Sequence, residues 1–294
     1  MRHVSFCPLR WADMDMLAHV NNVTYVDYLQ EARIDMLVNH APVRGGEALG
    51  EGVVVVRHEV DYVTPLVFRE RPVAIETWVT EVRAATFTMA YEVFDEHPDG
   101  SRTVYLRARS VLTPYVFAEE RPRRISARER EVLQTFLEAD TPRLRPETVR
   151  RCPTLTGEPA AHYELRVRWS DVDAYGHVNN VKYFEYLQES RVALLRDLPR
   201  PDGEAMWVVV ASTDVDYLAP VLFRLEPYAV RSRIARVGRS SVAIVSEICD
   251  SPAPDATVYA RGEVVIVRFD RERGRALPLG DTHRAHLEER LVSR

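Results

Sequence analysis

A long internal repeat constrains this chain more than any other feature of its sequence. Residues 10–33 and 168–191 align without gaps at an offset of 158, and 15 of the 24 aligned positions are identical. A second pair of segments, 53–68 and 207–223, repeats at an offset of 155. Solenoid modules repeat every 20 to about 50 residues. This much longer period therefore indicates a duplicated domain, so that one architecture must form twice.

Each copy predicts the same order of secondary structure. A short strand, which alternates apolar and polar residues at 162–169 of the second copy, precedes a helix at 22–38 and 180–196. Four strand-like segments follow, and a polar helix closes each copy. The closing helix begins with the capping box Ser126 and Glu129 in the first copy and spans 281–292 in the second. The predicted strands are 53–62, 72–82, 85–95 and 102–113 in the first copy and 207–217, 227–237, 241–249 and 257–268 in the second.

This order of elements predicts an α+β fold. A long helix between one strand and a four-strand meander suggests an antiparallel sheet wrapped around that helix. Because one such sheet leaves an edge and a face uncovered, we expect the two copies to pair as an intrachain pseudo-dimer. We predict domains at 1–138 and 160–294, joined by a linker at 139–159 that is rich in Pro, Thr and Arg.

Composition and charge exclude several classes of protein. The net charge of −5 argues against nucleic acid as a partner. No apolar run approaches the roughly 20 residues that span a bilayer, and the N-terminus lacks the apolar core of a secretory signal. Cys7, Cys152 and Cys249 lack the spacing of a metal site, so we predict reduced thiols in a cytoplasmic protein. We expect neither a metal nor a redox cofactor.

A set of polar residues recurs just before each predicted helix. Each copy contains the pattern D-x-D-x-x-[AG]-H-V-N-N-x-x-Y, which core packing does not explain. The candidate site residues are Asp15, His19, Asn21, Asn22 and Tyr25 in the first copy and Asp173, Gly176, His177, Asn179, Asn180 and Tyr183 in the second.

This pattern resembles that of the hotdog-fold acyl-CoA thioesterases of the 4-hydroxybenzoyl-CoA thioesterase class. The resemblance covers both halves of the chain, in a tandem double-hotdog form. It implies active sites between the two halves, near each helix N-terminus, and hydrolysis of an acyl thioester without a cofactor. It also implies that the second aspartate of each D-x-D, Asp15 and Asp173, is the catalytic carboxylate.

The chemistry of thioester hydrolysis agrees with these residue types. The reaction needs either a carboxylate nucleophile or a base that activates water. It also needs hydrogen-bond donors where negative charge develops, and a helix N-terminus offers unpaired N–H groups and the positive end of the helix dipole. Loss of one such donor costs roughly 2.7–4 kcal/mol of barrier in other enzymes. Asp15 and Asp173 lie about six or seven residues before the predicted helices.

We expect supporting roles for the neighbouring polar residues. Asp13 and Asp171 are predicted to be structural residues of the loop. His19 and His177 are expected to brace the loop through a ring hydrogen bond, with general acid catalysis as the alternative. One asparagine of each pair should cap the helix, which leaves the other to position water or substrate.

Other side chains are assigned more generally. The two tyrosines of the pattern are expected to be core or pocket-wall residues, and Arg33 and Arg191 to form structural ion pairs at the helix. The phosphates of CoA need cations, and the candidates for that role are Arg57, Arg69, Arg224 and Arg239.

The two copies differ at one informative position, where Gly176 of the second copy aligns with Ala18 of the first. Glycine tolerates a positive φ, whereas alanine pays roughly 1 kcal/mol for the left-handed conformation. The sequence therefore favours Asp173 over Asp15 as the working carboxylate.

Three alternative functions share this fold. A hotdog hydratase would add water to an enoyl thioester, although the family places its Asp and His differently. A non-catalytic acyl-CoA-binding regulator would carry a DNA-binding segment before the hotdog domain, which we do not expect here. An acyl-carrier-protein thioesterase also joins two hotdog halves in one chain, so a carrier protein is the alternative partner. We favour hydrolysis of acyl-CoA by a homodimer of double-hotdog chains.

Overall fold

The computed structural model describes residues 1–40, 52–138, 152–155, 159, 161–196, 207–270 and 273–291. Within it the chain divides into two compact units, Met1–Thr148 and Val149–Arg294. Each unit contains one copy of the repeat. The predicted linker at 139–159 lies mostly outside the described residues, so its bounds stay a prediction.

The first unit contains the predicted helices and strands. Its elements are β1 (His3–Cys7), α1 (Thr24–His40), β2 (Val53–Tyr62), β3 (Val73–Val82), β4 (Phe87–Glu96), β5 (Arg102–Val116), the two-residue β6 (Arg121–Pro122) and α2 (Ala127–Thr135). A short 3-10 turn, Trp11–Asp13, lies between β1 and α1.

The second unit repeats this order. Its elements are β7 (Ala161–Leu165), α3 (Lys182–Arg196), β8 (Val208–Tyr217), β9 (Tyr228–Val237), β10 (Ser241–Cys249), β11 (Val258–Asp270), β12 (Arg275–Ala276) and α4 (Asp281–Glu289). The matching 3-10 turn is Trp169–Asp171. The eight predicted long strands and the helices are confirmed to within a few residues.

The strands of each unit form an antiparallel sheet, with the first strand at one edge and the second at the other. The four-strand meander predicted from the sequence is therefore wrong in its strand order, because β2 pairs with β5 and β8 pairs with β11. The order is β1-β3-β4-β5-β2 in the first unit and β7-β9-β10-β11-β8 in the second. Register shifts interrupt the ladders, for example between Val79 and Glu81 and between Val93 and Phe94. Such bulges bend the strands, which lets each sheet wrap around its helix as predicted.

The central helix of each unit supplies the core. α1 packs on β1 and β3, and α3 packs on β7 and β9. Tyr25, Leu29 and Met36 of α1 are buried at helical spacing. In the second unit, a Cβ atom at Gly262 would lie 2.5 Å from Leu187 Cδ1, so glycine allows α3 to approach β11 closely.

One predicted strand is too long. The alternating pattern at 162–169 extended the strand to Trp169, but β7 ends at Leu165 and Trp169 is 78% exposed. The buried Asp171 accepts a hydrogen bond from the Arg168 backbone N–H, and this interaction bends the chain into the 3-10 turn. Local capping therefore overrides the strand pattern.

The three cysteines are free thiols in the structure. Burial raises the pKa of the Cys7 and Cys249 thiols to about 11. Both thiols are therefore protonated at neutral pH and behave as small apolar side chains.

The capping box of α2 provides a test of local stability. Ser126 Oγ accepts from the Glu129 backbone N–H at 3.3 Å, and Glu129 Oε2 accepts from the Ser126 N–H at 2.7 Å. We expect Ser126→Ala to lower the free energy of unfolding by about 1 kcal/mol, as measured by urea denaturation. Ser126→Thr is the control, because it keeps the acceptor oxygen and should preserve stability. Equal losses in both variants would contradict a capping role.

Candidate active site

A tight turn holds the second aspartate of each D-x-D pattern. In the first unit the Asp15 N–H donates to the His19 carbonyl oxygen at 2.9 Å, and the Ala18 N–H donates to the Asp15 carbonyl oxygen at 3.0 Å. In the second unit the Asp173 N–H donates to the His177 carbonyl oxygen at 2.8 Å, and the Gly176 N–H donates to the Asp173 carbonyl oxygen at 3.0 Å. The two copies therefore fold this turn in the same way.

One carboxylate oxygen of each aspartate stabilises the turn. Asp15 Oδ1 accepts from the Leu17 N–H at 2.8 Å, and Asp173 Oδ1 accepts from the Tyr175 N–H at 2.9 Å. The second oxygen, Oδ2, makes no hydrogen bond within the described part of either unit. Both side chains are half-buried, so each turn presents a carboxylate oxygen that remains available for chemistry.

The turn folds back and brings each aspartate beside the entry to the central helix. Met14 pairs with Val20 as an antiparallel bridge, and the Asn21 N–H donates to the Asp13 carbonyl oxygen at 2.8 Å. Although α1 begins at Thr24, nine residues after Asp15 (24 − 15), the residues just before the helix run alongside the aspartate. The aspartate therefore lies close to the start of the helix, as predicted, although more residues separate the two along the chain than the sequence analysis expected.

The residue at the tip of each turn adopts a left-handed conformation. Gly176 has a φ of +80°, and Ala18 has a φ of +62°. Ala18 therefore copies the glycine conformation despite its Cβ atom. The alanine does not prevent the first turn from forming, which removes the reason for preferring Asp173 on backbone grounds.

Asp13 and Asp171 anchor the turns from within the protein. Both carboxylates are buried, and each accepts hydrogen bonds from the helix that follows, Asp13 from Tyr28 and Asp171 from Tyr186. Asp13 also accepts from the side chain and backbone N–H of Arg10. The contacts agree with the predicted structural role of both aspartates.

A second loop completes each site by contacting the first. The Val178 N–H donates to the Val221 carbonyl oxygen at 2.9 Å, and the Val221 N–H donates to the Tyr183 hydroxyl at 2.9 Å. In the first unit the Val20 N–H likewise donates to the Leu66 carbonyl oxygen at 2.8 Å, and the Leu66 N–H bonds to the Tyr25 hydroxyl.

The two tyrosines of the pattern are structural in their contacts. Tyr25 and Tyr183 are both 3% exposed. Burial raises the pKa of each phenol well above its ordinary value, so both hydroxyls stay protonated at neutral pH. They fix the second loop to the helix, which agrees with the core or pocket-wall assignment.

The first asparagine of each pair caps the helix entry, as predicted. Asn21 Oδ1 accepts from the Val23 N–H at 2.9 Å, and Asn179 Oδ1 accepts from the Val181 N–H at 3.2 Å. The second asparagine of each pair accepts a hydrogen bond at its main-chain carbonyl oxygen. Asn22 accepts from the Tyr62 hydroxyl and Asn180 from the Tyr217 hydroxyl, each at 2.8 Å.

The histidines brace the turns through the main chain. The carbonyl oxygens of His19 and His177 close the turns, and His177 forms a β-bridge with Leu222. The ring hydrogen bond predicted for His19 is absent from the described residues. Its contribution to the turn is therefore made by the backbone, and a ring role in catalysis stays a prediction.

The structure shows the contacts of the arginines that the sequence analysis named. Arg33 is 7% exposed, and within the described residues its Nη1 atom has no hydrogen-bond partner, so the expected ion pair does not form at that atom. Arg57 pairs with Glu59 at 2.8 Å, and Arg69 forms a salt bridge with Asp95.

Arg224 is likewise engaged inside its own unit. Its side chain donates to the carbonyl oxygens of Glu226 and Pro227, and its guanidinium lies 3.6 Å from the Tyr228 ring centroid. Arg57, Arg69 and Arg224 are thus held in contacts with other residues of their own units, whereas Arg239 is exposed. Binding of the CoA phosphates by any of the four stays a prediction.

The sequence prediction missed two aromatic pairs beside the turns. Trp11 contacts Phe68, and Trp169 contacts Phe223, each with ring centroids 5.4 Å apart. The signal was present in the repeat, since tryptophan and phenylalanine occupy the same aligned positions in both copies. It was missed because the alternating strand pattern assigned Trp169 to the core.

Two further features bear on the type of site. Across the described ranges, no three or more His, Cys, Asp or Glu side chains are grouped so that they could hold a metal ion. None of the helices in the described part of the chain is long and apolar enough to cross a membrane.

Comparison with known families identifies the chain. The model of the thioesterase-like superfamily matches residues 9–137 and 167–287, one match in each unit. The protein belongs to this superfamily. The two matches cover both carboxylate turns and both central helices, so each copy contains a domain of this superfamily and the tandem hotdog prediction is confirmed.

Two curated relatives each match about one copy. The chain is 31% identical over 127 residues to the uncharacterised protein YsmA of Bacillus subtilis, covering 42% of this chain and 82% of YsmA. It is 26% identical over 133 residues to the long-chain acyl-CoA thioesterase FadM of Escherichia coli, covering 43% of this chain and 96% of FadM.

Solved structures resemble the chain over nearly its full length. The 12:0-ACP thioesterase of Umbellularia californica has a TM-score of 0.72 at 14% identity, covering 90% of this chain and 93% of the enzyme. An acyl-ACP thioesterase of Bacteroides thetaiotaomicron has a TM-score of 0.65 at 16% identity, covering 90% and 97%. At these identities the likeness shows the tandem fold alone.

The left-handed residues give a matched pair of stability predictions. Ala18→Gly should raise the free energy of unfolding by about 1 kcal/mol because it removes the Cβ strain, and Gly176→Ala should lower it by about the same amount. No atom lies within 4 Å of a Cβ built at Gly176. The loss of stability in Gly176→Ala would therefore come from the positive φ of the backbone and not from a steric clash. Chemical denaturation of both variants measures the difference. Changes of the same sign would contradict the shared left-handed turn.

The Asp13 anchor predicts a pH dependence of stability. Burial by itself raises the pKa of Asp13, but hydrogen bonds from Tyr28 and Arg10 outweigh it and hold the pKa below its ordinary value. A lowered folded-state pKa adds stability above the unfolded pKa of about 3.9, and this stability is lost as the pH falls through the folded value.

Tyr28→Phe removes one of these donors. We expect it to cost about 1.5 kcal/mol of unfolding free energy at neutral pH, with the difference from wild type shrinking as the pH falls below about 4. Denaturation across this pH range measures the effect. Tyr115→Phe is the control, since the Tyr115 hydroxyl makes no hydrogen bond within the described residues. A difference that does not change with pH would contradict the anchor role.

Proposed function

We propose that the protein hydrolyses acyl-CoA thioesters to the free acid and CoA, with Asp15 and Asp173 as the catalytic carboxylates. The observation that supports this most directly is the duplicated turn, in which each aspartate keeps Oδ2 unoccupied beside the entry to a helix. CoA is favoured as the thiol carrier because FadM, a long-chain acyl-CoA thioesterase, aligns with one copy over nearly its whole length.

In the proposed mechanism each part of the site has a role. The carboxylate acts at the thioester carbonyl carbon, either by direct attack or by taking a proton from the attacking water. The carbonyl oxygen gains negative charge in this step. N–H groups in the first turn of α1 or α3 have no partner within the helix and can stabilise that charge together with the helix dipole. Collapse of the intermediate breaks the C–S bond and expels the thiolate of CoA, which is then protonated. When water is the attacking group, the other product is the free acid. When the carboxylate attacks directly, the product is an acyl anhydride of the aspartate, which water then hydrolyses to the free acid and the restored carboxylate.

The structural relatives that act on acyl carrier proteins point to the second candidate. They match 90% of the chain, but their low identity supports only the fold. The assay therefore includes acyl-carrier-protein thioesters beside acyl-CoAs of varied length and aromaticity. The predicted homodimer and the cytoplasmic location stay predictions, the first testable by light scattering on the purified chain.

Asp→Asn substitutions test the catalytic assignment. An asparagine keeps an Oδ1 acceptor for the turn but removes the charge, so the fold should persist while the chemistry is lost. We expect Asp15→Asn and Asp173→Asn each to lower kcat by about half, and the double variant to lower it about 100-fold or more. Thiol release from the substrate panel measures the rates.

Asp99→Asn is the matched control. Asp99 Oδ1 also accepts a backbone N–H two residues ahead, from Ser101 at 2.9 Å, but it lies in the β4–β5 hairpin. Its substitution should leave kcat unchanged. Loss of activity in Asp173→Asn alone would show that the first copy is a scaffold. Full activity in the double variant would contradict the carboxylate mechanism.

A further inference from the structure

An exposed aromatic pair accompanies each carboxylate turn. Trp11 is 75% exposed and Trp169 is 78% exposed, although tryptophan is mostly buried in folded proteins. Each contacts a phenylalanine edge to face, with interplanar angles of 85° for Trp11–Phe68 and 89° for Trp169–Phe223. The same pair has been kept in both copies, although 9 of the 24 aligned positions around the tryptophans differ (24 − 15). Core packing does not explain an exposed pair.

The pair connects the two loops that build the site. Trp11 begins the 3-10 turn that leads to Asp15. Phe68 follows Leu66, whose backbone bonds to Val20 and to Tyr25. In the second unit, Trp169 and Phe223 occupy the equivalent places. Each tryptophan is four residues from its catalytic aspartate, so the two Cα atoms lie within about 13 Å of each other.

Other exposed apolar side chains belong to the same two loops as each pair. We call the two groups of side chains the aromatic rims. They consist of Trp11, Met16, Val67 and Phe68 in the first unit and of Trp169, Tyr175, Leu222 and Phe223 in the second, all more than a third exposed. Exposed apolar side chains grouped on loops beside a polar site are typical of a binding surface.

We propose that each aromatic rim binds the pantetheine arm of the thioester substrate. This inference rests on the proposed function and assigns a substrate-positioning role to Trp11 and Trp169. The arm joins the thioester sulfur to the carrier, so it must run from the carboxylate turn outward to solvent. The rim lies on that route, because it adjoins the aspartate and faces solvent.

The chemistry of the arm suits an aromatic surface. Pantetheine alternates amide groups with methylene and methyl groups, and aromatic rings accept both apolar contact and N–H···π contact. The acyl group is a poorer fit, since on a surface this exposed it would stay in water. The nucleotide of CoA is a poorer fit as well, because it lies at the far end of the arm from the thioester while the rim adjoins the aspartate.

Substrates that differ only in their thiol test the proposal. One acyl group is presented on CoA, on pantetheine and on 2-mercaptoethanol, which lacks the arm. We expect the Trp11→Ala/Trp169→Ala double variant to lose about tenfold in kcat/KM, mainly through KM, on the first two thioesters. On the third it should match wild type. Phe6→Ala is the control, since Phe6 is also an exposed aromatic residue, 68% exposed, but belongs to β1 and to neither aromatic rim.

Three results would overturn the proposal. An equal loss on all three thioesters would place the rim against the acyl group or the reacting atoms. Unchanged kinetics on all three would deny it any role in substrate binding. A fall in molecular mass by light scattering, together with the loss of activity, would make the rim a contact between two copies of the chain.

A binding measurement separates this proposal from the proposed hydrolysis. The chain contains four tryptophans, of which Trp78 is buried. We expect a non-hydrolysable thioether of pantetheine to shift the tryptophan emission of the Asp15→Asn/Asp173→Asn variant. The shift should disappear when Trp11→Phe and Trp169→Phe are added. If the wild type hydrolyses no thioester but the emission shift is seen, the rim binds pantetheine and only the proposed hydrolysis is contradicted. If there is no shift, the rim proposal itself is contradicted.

Discussion

The site in each unit depends on a buried carboxylate that bonds to the helix behind it. Asp13 accepts from the Tyr28 hydroxyl and Asp171 from the Tyr186 hydroxyl, and both aspartates also hold the backbone of the 3-10 turn. An unpaired buried charge would cost several kcal/mol, so these partners must be in place whenever the protein is folded. The contacts of Asp13 and Asp171 therefore fix the direction in which the chain enters the turn that holds Asp15 or Asp173.

From that anchor the remaining geometry follows in short steps. Backbone hydrogen bonds close the turn. The residue that follows it, Val20 or Val178, donates its N–H to the carbonyl oxygen of Leu66 or Val221 in the second loop. A buried tyrosine of the helix bonds to the same loop. Asp15 and Asp173 thus each lie on a rigid frame connected to the helix at two places, which suits the proposed role of a group that meets a thioester in a defined orientation.

Duplication shows which features of the frame tolerate change. The turn keeps its hydrogen bonds although Ala18 replaces the glycine found at position 176, at a cost in backbone strain of about 1 kcal/mol. A loss of that size is small beside the many contacts of a unit, and it leaves the position of the carboxylate unaltered. The aromatic pairs persist as well, while other residues of the turn vary.

Much of this protein was determined by sequence pattern alone. Periodicity located every long strand and both central helices, and the repeat identified Asp15 and Asp173 as a pair, because these signals are local and occur twice. Tertiary structure decided the rest. It ended β7 before Trp169, because the buried carboxylate of Asp171 bonds to the Tyr186 hydroxyl and to the Arg168 backbone. These bonds outweigh the alternation of apolar and polar residues that favours a strand. It also paired Arg69 with Asp95, 26 residues away (95 − 69), because the pairing of charges depends on distances that no linear pattern contains.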